Sequence, residues 1–314
     1  MHRYILKRIV LLIPVLIAVS FIVFLLVSLA PGDAITATVG NSDLSEQQKE
    51  ELREYYGLND TVFVQYFRYM KNFIRGDMGY SIAFKEQVST LYFQRFPATL
   101  ALAGVSVFFA LLFAIPLGIL SALKADTVAD NVITVVALFG ISMPMFWIAL
   151  VMILFFSLRL GWFPAGEFKG LKSLILPGLT GGIMFMGALM RQTRSSMLDC
   201  LNADYLRTAR SKGVSKRDMV TVHAFRNALI PIVTTAGAQL GILLGGSAVT
   251  EAVFNWPGVG RLIVSAINNM DTPLICGCVI MQTIMISVVM LLVDILYAFI
   301  DPRIKAKYAK GGKG

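Results

Sequence analysis

Six long runs without a charged side chain dominate this sequence and confine the fold to a membrane. Each run is at least as long as the roughly 18 to 20 residues of helix that cross a hydrocarbon core about 30 Å thick. With 56% hydrophobic and only 15% charged residues, the chain is too apolar for a soluble domain. We predict an all-α integral membrane protein with six transmembrane helices, in the runs Ile9–Ala30, Phe96–Leu123, Asn131–Leu158, Ser173–Met190, Asn227–Thr250 and Thr272–Val293.

The first run has features of a signal peptide but is predicted to remain as a membrane helix. Basic residues precede it, and Ser28-Leu29-Ala30 has the small residues of a cleavage site. The run is nevertheless longer than the apolar core of a signal peptide, and it begins a pattern of several spans. We expect an uncleaved first helix.

Lysines and arginines are unevenly distributed between the two sets of connecting segments. Most of the 28 lie in the N-terminus, residues 124–130, residues 191–226 and the C-terminus. Short positively charged segments stay in the cytoplasm, so we predict cytoplasmic termini and a cytoplasmic 191–226 segment. This topology, with attraction to anionic membrane lipid, accounts for the net charge of +9 without nucleic acid as a partner.

The predicted spans divide the chain into three regions. Residues 1–30 form the N-terminus and the first membrane helix. Residues 31–95 form an outer segment with amphipathic helices, predicted over Ser45–Tyr56 and Val62–Ile74, the second lying at the membrane interface. Residues 96–314 form the core, with helices two to six and a cytoplasmic loop at 197–226. The outer segment is either a packed cap or a surface that contacts a partner.

Several residues within the apolar runs are candidates for a translocation pathway. Gly241 and Gly245 form a GxxxG pair that allows close helix approach, either for static packing or for a sliding interface. Asp294, an acid within the last run, either forms an interhelical bond or a cap, or is coupled to transport. Further pathway candidates, chosen as polar or adaptable side chains of the fourth and fifth runs, are Met186, Gln239 and Ser247.

The sequence contains no recognisable catalytic or metal centre. The nearest string to an ATPase phosphate loop lies in a membrane run and has Ser247 where lysine is required. Cys200, Cys276 and Cys278 have no metal-site or disulfide spacing and are expected to be packing residues. We expect this chain to bind no cofactor and no metal, so that any energy source is another chain.

A polar and strongly basic block, residues 203–231, lies between two long apolar runs. Asp204 is predicted to cap a short helix that ends before Gly213, a glycine suited to the left-handed position after a helix. Ser215 is predicted to cap the next helix.

A small apolar patch is predicted on the first helix of this block. Tyr205, Leu206 and Ala209 share one of its faces and would form a knob on a basic shaft. The knob either rests on lipid headgroups or inserts into a soluble partner.

The stretch after the fifth run, predicted on the outer side, combines an aromatic residue with turn formers. Trp256 suits an interfacial position, and Pro257, Gly258 and Gly260 favour a tight re-entrant turn. This stretch is either a structural lip or a gate that touches substrate or a binding protein.

The block resembles the "EAA" cytoplasmic loop of bacterial ABC importer permeases. Arg207-Thr208-Ala209 stands where that motif has Glu-Ala-Ala, and Gly213 stands at its glycine. This departure from the literal motif is typical of the dipeptide, oligopeptide and nickel permeases, and the chain resembles their first permease subunit. Further resembling segments are Arg3–Arg8, Ala30–Asp33, Tyr56–Leu58, Gly76–Gly79, Pro97–Leu100, Ser142–Pro144, Arg194–Leu198, Glu251–Arg261 and Asp301–Ile304.

The resemblance implies a type I importer bundle in the bacterial cytoplasmic membrane. Its partners would be a second homologous permease, two cytoplasmic ABC ATPases that bind ATP and Mg, and an extracytoplasmic substrate-binding protein. The residues implied in ATPase coupling are Asp204, Tyr205, Arg207, Thr208, Ala209 and Gly213.

The resemblance implies import of dipeptides or oligopeptides by alternating access, driven by the separate ATPases. Three alternatives remain open. A nickel or metal-chelate importer would share these motifs with a peptide importer. A stand-alone channel or ion-coupled transporter would need an ion relay within one chain, for which Asp294 is the candidate acid. A membrane scaffold or receptor would not transport at all.

Overall fold

The computed structural model describes residues 2–29, 47–48, 50–51, 54, 59–166, 168 and 170–300. Most of the predicted helix Ser45–Tyr56 lies outside these residues. The segments Ala30–Asp33, Tyr56–Leu58 and Asp301–Ile304, which carry part of the family resemblance, also lie outside them.

The described chain is almost entirely helical. Besides the α-helices there is one small antiparallel hairpin, β1 (Tyr80–Ser81) and β2 (Glu86–Gln87), with Tyr80 opposite Gln87. Two π-helical stretches cover Ile153–Arg159 and Met219–Ala224, and a 3₁₀ turn covers Leu171–Leu174. The α-helices are α1 (His2–Leu29), α2 (Val62–Ile74), α3 (Val88–Leu123), α4 (Val128–Ser142), α5 (Met145–Met152), α6 (Ile175–Leu201), α7 (Asp204–Ser211), α8 (Lys216–Asp218), α9 (Phe225–Gly246), α10 (Ala248–Val253), α11 (Val259–Asn268) and α12 (Thr272–Ile300).

Among the described residues, five continuous helical segments are long and apolar enough to cross a membrane, which confirms five of the six predicted spans. They are Val10–Leu29, Val88–Leu123, Leu171–Leu201, Lys216–Gly246 and Thr272–Leu296.

The third predicted span, Asn131–Leu158, is not one straight helix. It consists of α4 and the segment Met145–Arg159, and these are bent by 101°. Met143 is extended at the break, with φ −84° and ψ 139°, and Pro144 follows it. Proline disfavours helical geometry in the residue before it and lacks an N–H for the helix ladder, which explains the break.

The described chain divides into two compact units, through which α3 and α12 both pass. We call residues 100–256 with 288–300 the α6 unit, and residues 2–99 with 257–287 the hairpin unit.

Glycines of α6 allow the close packing of the α6 unit. A Cβ added at Gly181 would lie 2.5 Å from Ser106 Oγ of α3, and one at Gly187 would lie 2.5 Å from the Ala137 carbonyl oxygen of α4. These distances are shorter than any normal carbon contact. The crowded α6 glycines therefore allow close helix approach, and static packing and a sliding interface both stay predictions. Gly241 instead faces the flexible side chain of Met290.

In the hairpin unit, α2 has the bounds predicted from the sequence. Its buried side contains Tyr66, whose hydroxyl lies 2.9 Å from Ser20 Oγ of α1. Phe63, Phe67 and Ile74 are exposed on α2, as expected for a helix that lies at the membrane interface.

A buried carboxylate holds the hairpin against the start of α12. Asp271 is fully buried, and its Oδ2 accepts hydrogen bonds from Ser81 Oγ at 2.6 Å and from the Ala83 N–H at 3.1 Å. Its Oδ1 accepts from the Leu274 N–H at 3.2 Å, which caps α12. One side chain thus satisfies donors from two elements.

We expect Asp271→Ala to loosen the hairpin turn, because each buried donor left without an acceptor costs about 1–3 kcal/mol. Trypsin cleavage at Lys85, an exposed residue of this turn, should be faster in the purified variant. Asp271→Asn keeps one acceptor oxygen and should be cleaved at an intermediate rate. Equal cleavage of Asp271→Ala and the wild-type chain would contradict this role of the carboxylate.

Candidate docking surface and other predicted sites

The C-terminal end of α7 has the geometry predicted for Gly213. This residue has φ +81°, the left-handed region that glycine adopts without steric cost. Its N–H donates to the Arg210 carbonyl at 3.0 Å, and the Val214 N–H donates to the Ala209 carbonyl at 3.2 Å. This pair of bonds is a Schellman motif, which ends α7 and turns the chain.

The start of α7 differs from the prediction. Ala203, with extended backbone angles, occupies the N-cap, and Asp204 is the first helical residue. Asp204 makes no cap hydrogen bond; its carboxylate lies 3.6 Å from the Arg207 guanidinium, and both side chains are largely exposed. The predicted Asp204 cap is therefore wrong, although an acid in the first turn still suits the helix dipole. The predicted Ser215 cap is confirmed, since its Oγ accepts from the Asp218 N–H at 3.1 Å.

The predicted apolar knob faces the chain's own interior. Leu206 and Ala209 are buried, with 5% and 9% exposure. They cannot insert into a partner while α7 remains packed in this way, so the knob prediction is wrong for these two residues. The sequence pattern showed one apolar face but not what that face contacts. The cluster around them comprises Ala122, Met197, Met219, Ala224, Ala228 and Ile232.

The exposed side of α7 is polar. We call Asp204, Arg207, Thr208 and Ser211, which are spaced as one helical face and are all exposed, the α7 outer face. Arg210, Lys212, Lys216 and Arg217 are exposed beside it and make the loop basic.

Tyr205 stands between the buried and exposed sides of α7. The side chain is 42% exposed, and its hydroxyl lies 3.4 Å from Asn227 Nδ2 of α9. Partial burial, with a hydrogen bond to the Cys200 thiol, raises the pKa of the phenol. Tyr205 is therefore a neutral hydrogen-bonding group at neutral pH.

An ion pair that the sequence analysis did not identify joins α4 to α6. Arg194 binds Asp130 through two hydrogen bonds, Nε to Oδ1 at 2.9 Å and Nη2 to Oδ2 at 2.6 Å. Asp130, which is 3% exposed, also accepts from Ser121 Oγ and from the Asp126 N–H. Asp130 and Arg194 both flank apolar runs on the side predicted as cytoplasmic. That signal could have suggested a pair, but the bidentate geometry depends on how α4 packs against α6.

The predicted outer lip contains a buried rather than an interfacial tryptophan. Trp256 is 1% exposed, packs edge-on against Phe168 at 5.3 Å, and donates its backbone N–H to the Glu251 carbonyl at 2.8 Å. Gly258 is the extended N-cap of α11, Pro257 precedes it, and Gly260 lies in the first turn. The turn itself is made by Asn255, with φ +51°, in place of a glycine.

The three pathway candidates have different surroundings. Met186 packs beside the buried cluster of Ala110, Ala137 and Leu189. Ser247 is buried and donates to Glu251 Oε1 at 2.9 Å. Gln239 Oε1 is buried with no hydrogen-bond partner among the described residues. Asp294 lies partly buried in α12. The pathway roles of all four stay predictions.

The described residues contain no group of three or more His, Cys, Asp or Glu side chains that could hold a metal ion. Cys276 and Cys278 are buried free thiols, and Cys200 is a partly buried one. Their burial is consistent with the packing role expected from the sequence.

Two family models match nearly the whole chain. Residues 114–306 match the binding-protein-dependent transport system inner membrane component, and residues 1–103 match the N-terminal part of the same membrane component. The chain belongs to this permease family. It is therefore a multi-pass membrane protein and a component of a binding-protein-dependent transport system.

Curated relatives of this permease are similar over their full length. It is 39% identical to the oligopeptide transport system permease protein AppB of Bacillus subtilis, over 97% of this chain and 100% of that protein. It is 38% identical to the dipeptide permease DppB of Alkalihalophilus pseudofirmus, with the same coverage. It is 39% identical to the glutathione permease GsiC of Escherichia coli K12, over 98% of this chain and 100% of that protein.

Solved ABC transporters share the fold of this permease. An inward-facing structure of the MetNI methionine ABC transporter matches with a TM-score of 0.58 and 18% identity, over 67% of this chain and 96% of that chain. An amino acid ABC transporter crystallised with histidines matches with a TM-score of 0.51 and 15% identity, over 68% of this chain and 94% of that chain. These similarities establish the type I importer fold of the permease.

We call residues 204–214, which are α7 and the turn that ends it, the α7 loop. We expect Gly213→Ala to destabilise this loop by about 1–2 kcal/mol, because an L-residue in the left-handed region carries that cost. No neighbouring atom lies within 4 Å of the added Cβ, so the cost is conformational and not steric. Gly213→Asn should be milder, since asparagine tolerates this region. Native-state hydrogen exchange of 204–214 measures both variants, and protection lost equally in the two would contradict the argument.

We expect Asp130→Ala to lower the unfolding free energy by about 3 kcal/mol, because it leaves the Arg194 guanidinium without its partner. Thermal unfolding in detergent measures this loss. In the double variant Asp130→Ala/Arg194→Leu no charge is left unpaired, and part of the loss should be recovered. A double variant less stable than Asp130→Ala would show that the pair is not the source of the effect.

Proposed function

We propose that this permease moves dipeptides or oligopeptides across the bacterial cytoplasmic membrane, as the first of two homologous permease subunits. The observation that carries the peptide assignment is the agreement of full-length relatives at 38–39% identity. Their names specify oligopeptide, dipeptide and glutathione transport. A nickel or metal-chelate substrate is not favoured by these relatives.

In this proposal, two ABC ATPases dock on the α7 loop and supply the energy. ATP and Mg belong to those subunits, and this chain binds no cofactor. The α7 outer face offers the contact, because it is polar, exposed and held in place by the Schellman turn at Gly213. The adjacent basic side chains guide the approach of an acidic partner surface.

The packing of α7 gives a physical route for movement. Leu206 and Ala209 lie in one buried cluster with Ala228 and Ile232 of α9. Because packed side chains resist compression, displacement of a docked α7 displaces the start of α9 with it. In alternating access this motion, combined with rocking of packed helices, opens the pathway to one side and then to the other.

The orientation belongs to the same proposal. The α7 loop and both termini face the cytoplasm, as the distribution of lysine and arginine predicts. An extracytoplasmic binding protein delivers the peptide on the opposite side.

Substrate-stimulated ATP hydrolysis tests this function. The chain is reconstituted in liposomes with the second permease, two ATPases and the binding protein encoded beside it. Binding protein loaded with a dipeptide or an oligopeptide should raise the hydrolysis rate, and a nickel chelate should not. Stimulation by the nickel chelate alone would overturn the peptide assignment, and peptide uptake without ATP would favour an ion-coupled transporter.

Substitutions on the two sides of α7 should separate docking from packing. Arg207→Ala should weaken association with the ATPases and leave thermal stability nearly unchanged, because the side chain is 80% exposed. Leu206→Ala should lower the unfolding free energy by about 2–5 kcal/mol through the cavity it creates. Copurification of the ATPases and thermal unfolding measure the two effects. Destabilisation by Arg207→Ala comparable to that by Leu206→Ala would refute this assignment of the two faces.

A further inference from the structure

Asp130 connects the start of α4 to two neighbouring helices. Its carboxylate accepts two hydrogen bonds from Arg194 of α6, at 2.9 and 2.6 Å, and one from Ser121 Oγ of α3. We call Asp130, Arg194 and Ser121 the Asp130 network. Asp130 and Ser121 are 3% and 0% exposed, so their bonds are shielded from water and strengthened by the low dielectric around them.

The network lies next to residues that pack on α7. Ala122 follows the network's serine in α3, and Met197 lies one turn after its arginine in α6. Both are buried in one cluster with Leu206 and Ala209 of α7. The network therefore joins α4 to those parts of α3 and α6 that hold the α7 loop.

Other contacts between α4 and α6 are close but nondirectional. A Cβ added at Gly187 of α6 would lie 2.5 Å from the Ala137 carbonyl oxygen, and one at Gly140 of α4 would lie 3.2 Å from Ile183 Cγ2. Van der Waals contacts of this kind favour close approach but do not fix the position of one helix along the other. The bidentate ion pair of the network fixes both distance and orientation.

The far end of α4 leads toward the predicted outer lip. After α4 the chain bends by 101°, and α5 begins at Met145. The sulfur of Met145 accepts a hydrogen bond from Thr250 Oγ1 of α10 at 2.9 Å. Since α10 is followed directly by the predicted lip, α4 and α5 connect the region of the α7 loop to that of the lip.

We propose that the Asp130 network makes α4 move together with α6 and α7 when the ATPases act on the α7 loop. Asp130 and Arg194 are positioning residues for this coupling, because they act through the placement of helices. In this inference α4 does not slide along α6 during the transport cycle. The inference rests on the proposed function, which supplies the ATPases.

A double variant separates coupling from stability. Asp130→Ala leaves a guanidinium unpaired and destabilises the chain, so its loss of transport has two causes. Asp130→Ala/Arg194→Leu leaves no charge unpaired and recovers part of the stability, but it still lacks the directional link. Arg194→Lys keeps the charge without the paired donors. Asp199→Asn is the matched control, because it removes an exposed negative charge of α6 outside the network.

The first measurement is the amount of peptide taken up per ATP hydrolysed by the complete transporter in liposomes. The double variant should lower this ratio about fivefold or more, as expected for the loss of a coupling free energy between distant sites. Arg194→Lys should fall between the double variant and wild type, and Asp199→Asn should transport like wild type. Copurification of the second permease and the ATPases confirms that each variant assembles.

The second measurement follows α4 itself. The three native cysteines are replaced by alanine, and spin labels are attached to cysteines introduced at Val135 of α4 and Ser211 of α7, which are both exposed. The distance between the labels is measured without nucleotide and with trapped ATP. It should be the same in both states of the otherwise wild-type chain, and it should differ between them in the double variant. A role in stability alone would not produce this difference.

Three outcomes would overturn the inference alone. The double variant could take up as much peptide per ATP as wild type. The distance between the labels could change between the two states of the otherwise wild-type chain. Asp199→Asn could lose as much coupling as the double variant, which would assign the effect to cytoplasmic charge. A wild-type transporter that does not respond to loaded binding protein would instead overturn the proposed function, and this inference with it.

Discussion

The hydrocarbon interior of a membrane offers a backbone N–H or C=O no partner except the chain itself, and most of this structure follows from that constraint. It explains why the described residues are almost all helical, with one two-residue hairpin as the exception. The break at Pro144 is an exception to this rule, because it leaves backbone groups outside the helical ladder. Two short helices bent by 101° replace one span there, and the freed backbone groups must be satisfied by neighbouring protein or water.

The same constraint governs the polar side chains that the fold buries. Asp130 is held by Arg194, Ser121 and a backbone N–H, and Asp271 is held by Ser81 and two backbone N–H groups. A buried carboxylate is tolerable only with such partners. Each of these acids fixes the relative position of separate elements. Asp130 joins α4 to α6 in the α6 unit, and Asp271 joins the β1–β2 turn to the start of α12 in the hairpin unit.

In the proposed function, the two faces of α7 have different roles in coupling. The apolar face of α7 packs within the chain, so that buried contacts hold α7 against the rest of the α6 unit. The polar face is exposed, and in the proposed function it contacts the partner, whose approach the surrounding basic residues guide. In this proposal, a docked partner acts on α9 through buried contacts and does not need to contact the membrane helices directly.

The sequence by itself determined the class of the fold, five of the six spans, the bounds of α2, the Gly213 turn and the Ser215 cap. These depend on local chemistry: long apolar runs, helical spacing, and the backbone angles that glycine and serine prefer. The tertiary structure alone decided what each face contacts. It buried Leu206, Ala209 and Trp256, and it paired Asp130 with Arg194. Periodicity shows that a helix has an apolar face, but only the packing of distant segments decides whether that face meets the same chain, a lipid or another protein.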